Sequence, residues 1–282
     1  MNNQIPKKIA VINDIAGFGR CSMTVALPVI SALGVQACPV PTSIFSNHTA
    51  FPTHYFFDYT KQMSDYLKGW ANLNLSFDGI YSGFLGSIDQ VEIVKSFVTS
   101  QNLISQNKNS VITIVDPVMG DHGKAYKTIT PDFTDAMKDL ITHSNVITPN
   151  ITEACLLTNT IFKESGWTLL ELDKIGERLH GLGPEKIIIT GIHDGINITN
   201  YLSIKNAVST CYVSPIRGES RPGTGDIFAS IIAACTINNV PIVDSVKKAA
   251  DFVGKCTKAS ADLGIPIREG VCFENFLREL TK

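Results

Sequence analysis

Short β-branched runs alternate with longer helical patterns along most of this chain, and that alternation restricts its fold more than any other feature. The runs at 8–12, 35–40, 79–81, 111–115, 145–147 and 186–190 are short, largely apolar and bounded by Gly, Pro, Asp or Asn. Strands of a parallel sheet, buried on both faces, read this way. Helical patterns fall at 22–32, 57–70, 87–100, 132–142, 152–159, 168–180, 227–238 and 241–263. In the last of these, Val243, Val246, Ala250, Val253 and Thr257 trace one face, while Lys247, Lys248, Lys255 and Lys258 lie mostly elsewhere. Segments 197–203 and 207–213 predict an antiparallel hairpin at the sheet's edge. No linker, repeat or composition shift divides the 282 residues. The expectation is an α/β protein: a single-domain three-layer α/β/α sandwich over residues 1–282 with a mostly parallel central sheet.

Composition narrows the function classes. At 44% hydrophobic, 18% charged and a net charge of −2, the chain suits an ordinary globular protein, with no basic stripe for nucleic acid and no polybasic segment for a membrane surface. No apolar run reaches the ~18 residues that span a bilayer, and the N-terminus lacks the apolar core of a signal peptide. Seven cysteines are scattered without a Cys-x-x-Cys pair, which points to small core residues in a reducing cytoplasm and against structural zinc.

The most informative local stretch is Arg221-Pro222-Gly223-Thr224-Gly225-Asp226, which runs into an apolar helical segment. Two glycines permit a tight turn with uncovered N–H groups. The helix that follows points its positive end at the same turn, so phosphate is favoured there. Asp226 is out of place in an anion site unless it accepts a proton from an attacking hydroxyl. The bland alternative is a helix cap, a position that Asp favours.

In open parallel sheets ligands collect beyond the carboxyl ends of the strands. Polar clusters stand at five such ends: Asn13-Asp14 with Gly17-Phe18-Gly19, Ser46-Asn47-His48-Thr49, Ser82-Gly83-Phe84-Leu85-Gly86-Ser87, Asp116-Pro117-Val118-Met119-Gly120-Asp121, and Pro149-Asn150-Ile151-Thr152-Glu153. The first has no third glycine at dinucleotide spacing, and no Gly-x-x-x-x-Gly-Lys-Ser/Thr loop occurs anywhere. Asp116 and Glu153 are hard oxygen donors of the kind magnesium shares with substrate phosphates. Glu153 and Thr152 alternatively serve only to start a helix. His48 and His122 have no carboxylate partner evident in the sequence, and Cys21 has no paired histidine.

Together these motifs resemble the ribokinase-like superfamily and, within it, the pyridoxal/pyridoxamine kinases of vitamin B6 salvage. They occur in that family's order over nearly the whole chain. The last two clusters and Gly223-Thr224-Gly225-Asp226 are shared with hydroxymethylpyrimidine kinases. The Ser-Asn-His-Thr and Ser-Gly-x-Leu-Gly-Ser segments favour a B6 vitamer. The resemblance implies ATP-dependent phosphorylation of the vitamer's 5′-hydroxymethyl group. It makes Asp226 the base, with the N–H groups of Gly223, Thr224 and Gly225 as the anion hole. Asp116 and Glu153 would organise Mg2+. Asp121, Tyr126, Asn150 and Thr190, with Asp116 and Glu153, would face ATP. Asp14, Ser46, His48, Thr49 and Phe84 would line the acceptor pocket. A monovalent cation such as K+ beside the anion hole, and a homodimer, are common among relatives.

Two positions depart from the pattern. Asp14 stands where the B6 kinases carry serine, which is reminiscent of hydroxymethylpyrimidine kinases, and Phe84 stands where tyrosine is frequent. A carboxylate at residue 14 suits a protonated pyridine nitrogen or an amine, so pyridoxamine is an expected acceptor. The alternatives left by the sequence are a hydroxymethylpyrimidine kinase and a non-catalytic protein that binds B6 or nucleotide.

Overall fold

The computed structural model describes residues 5–105 and 110–281, with the side chain of Ser105 left aside. In chain order the elements are β1 (Lys8–Ala16), α1 (Met23–Ala32), β2 (Gln36–Phe45), β3 (Phe56–Asp58), α2 (Thr60–Asn72), β4 (Gly79–Ser82), α3 (Ile88–Ser105), β5 (Ile112–Val115), β6 (Gly120–Asp121), β7 (Lys124–Ala125), α4 (Pro131–Ile141), β8 (Val146–Ile147), α5 (Ile151–Thr158), α6 (Leu169–Gly181), β9 (Lys186–His193), β10 (Asn197–Ile204), β11 (Thr210–Pro215), α7 (Thr224–Ile237), α8 (Ile242–Asp262) and α9 (Leu277–Leu280). Nine strands form one sheet in the order β11-β10-β9-β8-β5-β4-β1-β2-β3. The six from β9 to β2 run parallel, and β10, β11 and β3 add antiparallel edges.

Period-two alternation divides the sheet's side chains between two cores. Ile9 and Val11 of β1, with Ile188 of β9, pack against α1, α7 and α8. Ala10 and Ile12 of β1, with Ile187 and Ile189, pack against the layer of α2 to α6. The expected three-layer α/β/α architecture is therefore present. Helix starts follow local chemistry. Thr130 caps α4 ahead of Pro131, and capping boxes begin α5 (Asn150 with Glu153) and α6 (Thr168 with Glu171).

Three details differ from the sequence reading. Phe57, expected in a helix, lies in edge strand β3, where it pairs with Ile44. The helix starts later because Asp58 Oδ1 accepts the Thr60 N–H at 2.9 Å and sets an Asx turn first. The small hairpin of β6 and β7 was not expected. Its two-residue turn, His122-Gly123, has φ of 49° and 72°, the positive pair a primed turn demands, with His in place of the usual Asn. On α8, Val243 is 54% exposed, and Ala249, Phe252 and Cys256 complete the inner face.

The sheet reverses its winding beside β1: the chain goes from β1 to β2 on one side and returns as β4 on the other. That switch point opens a crevice at the carboxyl ends of β1 and β4, where the site is assembled.

Candidate active site

Gly223 is the N-cap of α7, in the left-handed region at φ 87°. A Cβ there would stand 1.9 Å from the Arg20 carbonyl oxygen, so both backbone angle and space demand glycine. Gly225 is different. It lies inside the first turn of α7, and a Cβ added to it would meet nothing within 4 Å beyond its own stretch of helix. The turn therefore needs one glycine for its own geometry, and the second leaves a face open to a ligand. The helix begins at Thr224, three residues earlier than the apolar pattern suggested, which makes Asp226 a first-turn residue and not the cap.

Asp226 is half-buried and forms no ion pair among the described residues. Burial raises its pKa, while the Ser22 backbone N–H and the Asn13 amide favour the charged form. Asn13 links the two halves of the crevice. Its Nδ2 donates to Asp226 Oδ1 at 3.4 Å, and its Oδ1 accepts the N–H of Phe84 at 2.9 Å. Gly83 is small for this reason, since a Cβ would come within 2.6 Å of the Asn13 amide. Ser22 holds φ 55° and ψ −136°, a strained setting for a residue with a Cβ, which costs of order 1–3 kcal/mol. In that setting its N–H serves Asp226 and its hydroxyl serves Asp14.

Asp14 is 7% exposed, and its pKa is pushed up to about 7, first by burial and then by the charge of Asp226, against the Ser22 hydroxyl. Asp116, at the end of β5, accepts from the Thr148 hydroxyl at 3.1 Å; burial and the Asp226 charge raise its pKa. Glu153 is buried and raised by desolvation and by Asp116. Its two oxygens accept the N–H groups of Met119 (3.1 Å) and Asn150 (2.8 Å), so it starts α5 and braces the β5 loop together. None of the four carboxyls has a basic side chain beside it among the described residues.

The remaining sequence candidates divide by environment. Asn150 spends Oδ1 on the Glu153 N–H and one Nδ2 hydrogen on Gly120 O, and pairs through a lone bridge with Thr190. Tyr126 is 45% exposed; burial, then the charges of Glu153, Asp121 and Asp116, push its pKa up. Asp121 is exposed on the β6–β7 hairpin, with its carboxylate 3.6 Å from His122 Nε2. On the acceptor side Ser46 and Thr49 are exposed and Phe84 is half-buried, 6.5 Å from Phe45 ring to ring. The Ser46 hydroxyl is occupied by Asn47 Oδ1 and the Tyr55 N–H. His48 accepts the Ala50 N–H at Nδ1 and donates from Nε2 to Arg268 O, so only its ring face is left for a ligand. Asn13 and Ser22 are absent from the sequence-based assignment, although both stand at the strand end it singles out.

Among the described residues no three His, Cys, Asp or Glu side chains form a metal cage. Asp116 and Glu153 nonetheless fit magnesium: they are hard oxygen donors, buried near each other's charge with no basic side chain to neutralise them.

The phosphomethylpyrimidine kinase family matches residues 24–269, most of the chain. The chain belongs to that family. A solved Bacteroides thetaiotaomicron VPI-5482 protein carrying the same family name is 32% identical and superposes with a TM-score of 0.94, covering 100% of this chain and 96% of its own. A second crystal form of it, with pyridoxal, gives 0.92 over 99% and 96%. Pyridoxal kinase PdxY of Histophilus somni is 24% identical over 92% of this chain and 91% of its own. The fold is also that of the Leishmania donovani pyridoxal kinase solved with ADP and pyridoxamine (TM-score 0.89, 22% identity, 97% of this chain and 95% of the other). These relatives place the chain among kinases of the ribokinase-like fold.

Proposed function

We propose that this kinase transfers the γ-phosphoryl group of ATP to the 5′-hydroxymethyl group of a vitamin B6 vitamer. One observation carries the reading: the α7 N-terminus, shaped by Gly223 and left open at Gly225, meets an unpaired carboxyl, Asp226, at the sheet's switch point. Donors for a phosphoryl group and a base for its acceptor thus stand in one crevice. The Bacteroides relative solved with pyridoxal supports the vitamer, and the ADP complex of the Leishmania protein supports the nucleotide.

Asp226 takes the proton of the acceptor hydroxyl as the hydroxyl oxygen attacks the γ-phosphorus and the bond to the β–γ bridging oxygen breaks, releasing ADP. Its raised pKa makes it a better base than an exposed aspartate, while Asn13 and the Ser22 N–H keep it ionised. The N–H groups of Gly223, Thr224 and Gly225 receive the charge that develops on the transferring group. Asp116 and Glu153 are the residues that would hold Mg2+, which would supply charge neutralisation at the phosphates; Glu153 also keeps its own duties to the Met119 and Asn150 N–H groups. Asn150, Thr190, Asp121 and Tyr126 line the nucleotide side, and K+ beside the anion hole belongs to the same proposal. Ser46, Thr49, Phe84 and the His48 face enclose the ring. Asp14 pairs with its protonated nitrogen or an amine, which favours pyridoxamine. A homodimer rests on the family resemblance alone, and a cytoplasmic setting is proposed from seven free cysteines.

A radiolabelled-ATP assay across pyridoxal, pyridoxamine, pyridoxine and hydroxymethylpyrimidine tests the reading. Label is expected on the B6 vitamers. Label on the pyrimidine alone would replace them with the substrate in the family's name, and no label on any acceptor would leave a binding protein.

A further inference from the structure

Residues 265–270, between α8 and the last turns of the chain, form a strap across three loops of the crevice. Each loop sends one basic side chain to the strap's carbonyl oxygens. Arg20, from the loop after β1, donates its Nη1 to Glu269 O at 3.2 Å. His48, from the acceptor loop, donates its Nε2 to Arg268 O at 2.5 Å. Arg221, from the phosphoryl loop, donates its Nη1 to Ile265 O at 2.8 Å and Pro266 O at 3.3 Å.

Arg221 is 6% exposed, meets no carboxylate among the described residues, and has a buried Nε without a partner. A guanidinium buried without a counter-ion is costly, and a pure packing role is better filled by an apolar side chain. Its neighbours tighten the same junction. The Arg20 carbonyl lies between Gly223 and Gly270, both at positive φ, and Cβ atoms there would stand 1.9 and 2.8 Å from it. The strap, the phosphoryl loop and the first loop therefore share one backbone contact, and His48 attaches the acceptor loop to it.

We propose that the strap is a brace that fixes the distance between the acceptor loop and the phosphoryl loop, with Arg221 as its positioning residue. The kinetic part of this inference rests on the function proposed above. Arg221 touches no acceptor residue, yet releasing the strap at Arg221 loosens the segment that His48 holds.

The test is Arg221→Met, with Arg221→Lys and Arg20→Met beside it, in the full-length protein. Hydrogen exchange at the Ala50 and Phe51 amides is expected to quicken about tenfold in Arg221→Met, with Lys partly restoring protection. The acceptor KM should rise about tenfold while the KM for ATP stays within about twofold. The Arg20→Met/Arg221→Met double variant should lose little more than the worse single, because either change frees the same strap. A folded Arg221→Met with unchanged exchange at residues 50 and 51 overturns the brace, as do strictly additive losses in kcat/KM. If Arg221→Met does not fold, the Lys and Arg20 variants carry the same readout. Exchange decides the matter even if no B6 vitamer is phosphorylated, an outcome that would fall on the function alone.

Discussion

At the α7 end of the crevice the working groups are held by the fold's own frame, whereas Ser46-Asn47-His48-Thr49 rides on a loop next to an exposed edge strand. Asp226, Asp116 and Asp14 sit at ends of buried elements, fixed by Asn13, Thr148 and Ser22. Ser46 and Thr49 are exposed, and Phe18, Phe56 and Tyr55 nearby are each at least half exposed. The contrast separates two duties. Phosphoryl transfer asks for fixed charge and backbone donors, which a helix terminus supplies at little sequence cost. In the proposed function, acceptor choice is shared between Asp14 on the frame and side chains of loops, the part of a fold most free to change.

The largest effect should come from the framed end. Asp226→Asn removes the proposed base and keeps the shape, so kcat should fall by at least ~10²-fold while nucleotide binding, read by calorimetry, survives. Near-normal turnover would return Asp226 to a structural role in the first turn of α7.

Next come the two glycines, which the structure makes unlike. Gly223→Ala forces a Cβ against Arg20 O at φ 87° and should lower stability by about 1–3 kcal/mol in denaturant titration. Gly225→Ala meets nothing beyond its own stretch of helix, so folding should be unchanged or improved by up to ~1 kcal/mol. Turnover should nevertheless drop by about tenfold, because the methyl group occupies the face left for phosphate. Full activity in Gly225→Ala would mean that the phosphoryl group docks elsewhere.

The buried carboxyls make a smaller, pH-dependent prediction. The Asp14 pKa rises from 3.8 unfolded to about 7 folded, and Asp116 and Glu153 shift in the same direction. A raised acid pKa means that the folded state binds the proton more tightly. The associated stability is complete below about pH 4 and is lost as pH climbs to about 7, by at most a few kcal/mol for Asp14. Ligand-free protein should therefore lose stability from this source between about pH 4 and about pH 7, and Asp14→Asn should flatten the slope. Magnesium with nucleotide should offset the loss by binding the ionised forms. A variant with the same slope as the wild type would show that Asp14 is ordinary.

These differences also mark what could be read from sequence. The parallel core was legible because Ile9, Val11, Ile187 and Ile189 lie in runs whose burial is decided locally. Phe57 was misplaced in a helix because its strand exists only by pairing with Ile44, a long-range partner that no local pattern reveals. The acidic strand ends were visible as motifs, but the duties of Glu153 as N-cap partner and loop brace depend on two backbone N–H groups from separate segments. Ser22 read in the sequence only as the start of a helix. Its importance lies in φ 55°, a property of the folded loop and not of serine.

The smallest expected effect probes the loop side through Phe84, whose backbone is pinned by Asn13 and Thr42 while its ring is half-buried near Phe45. Phe84→Tyr adds one hydroxyl at the rim without moving that backbone. A gained hydrogen bond to a ring substituent common to the vitamers is worth about 0.5–1.5 kcal/mol, so the KM of each should change by no more than about tenfold. Because the change is in binding and not in the transferring group, kcat should hold. Comparing pyridoxal with pyridoxamine in this variant and in Asp14→Ser then separates the two ring contacts: Phe84→Tyr should move both vitamers alike, and Asp14→Ser should weaken the amine more. If Phe84→Tyr lowered kcat as strongly as Asp226→Asn, the division between a framed phosphoryl end and an adjustable acceptor end would fail, since Asn13 joins the two through a single side chain.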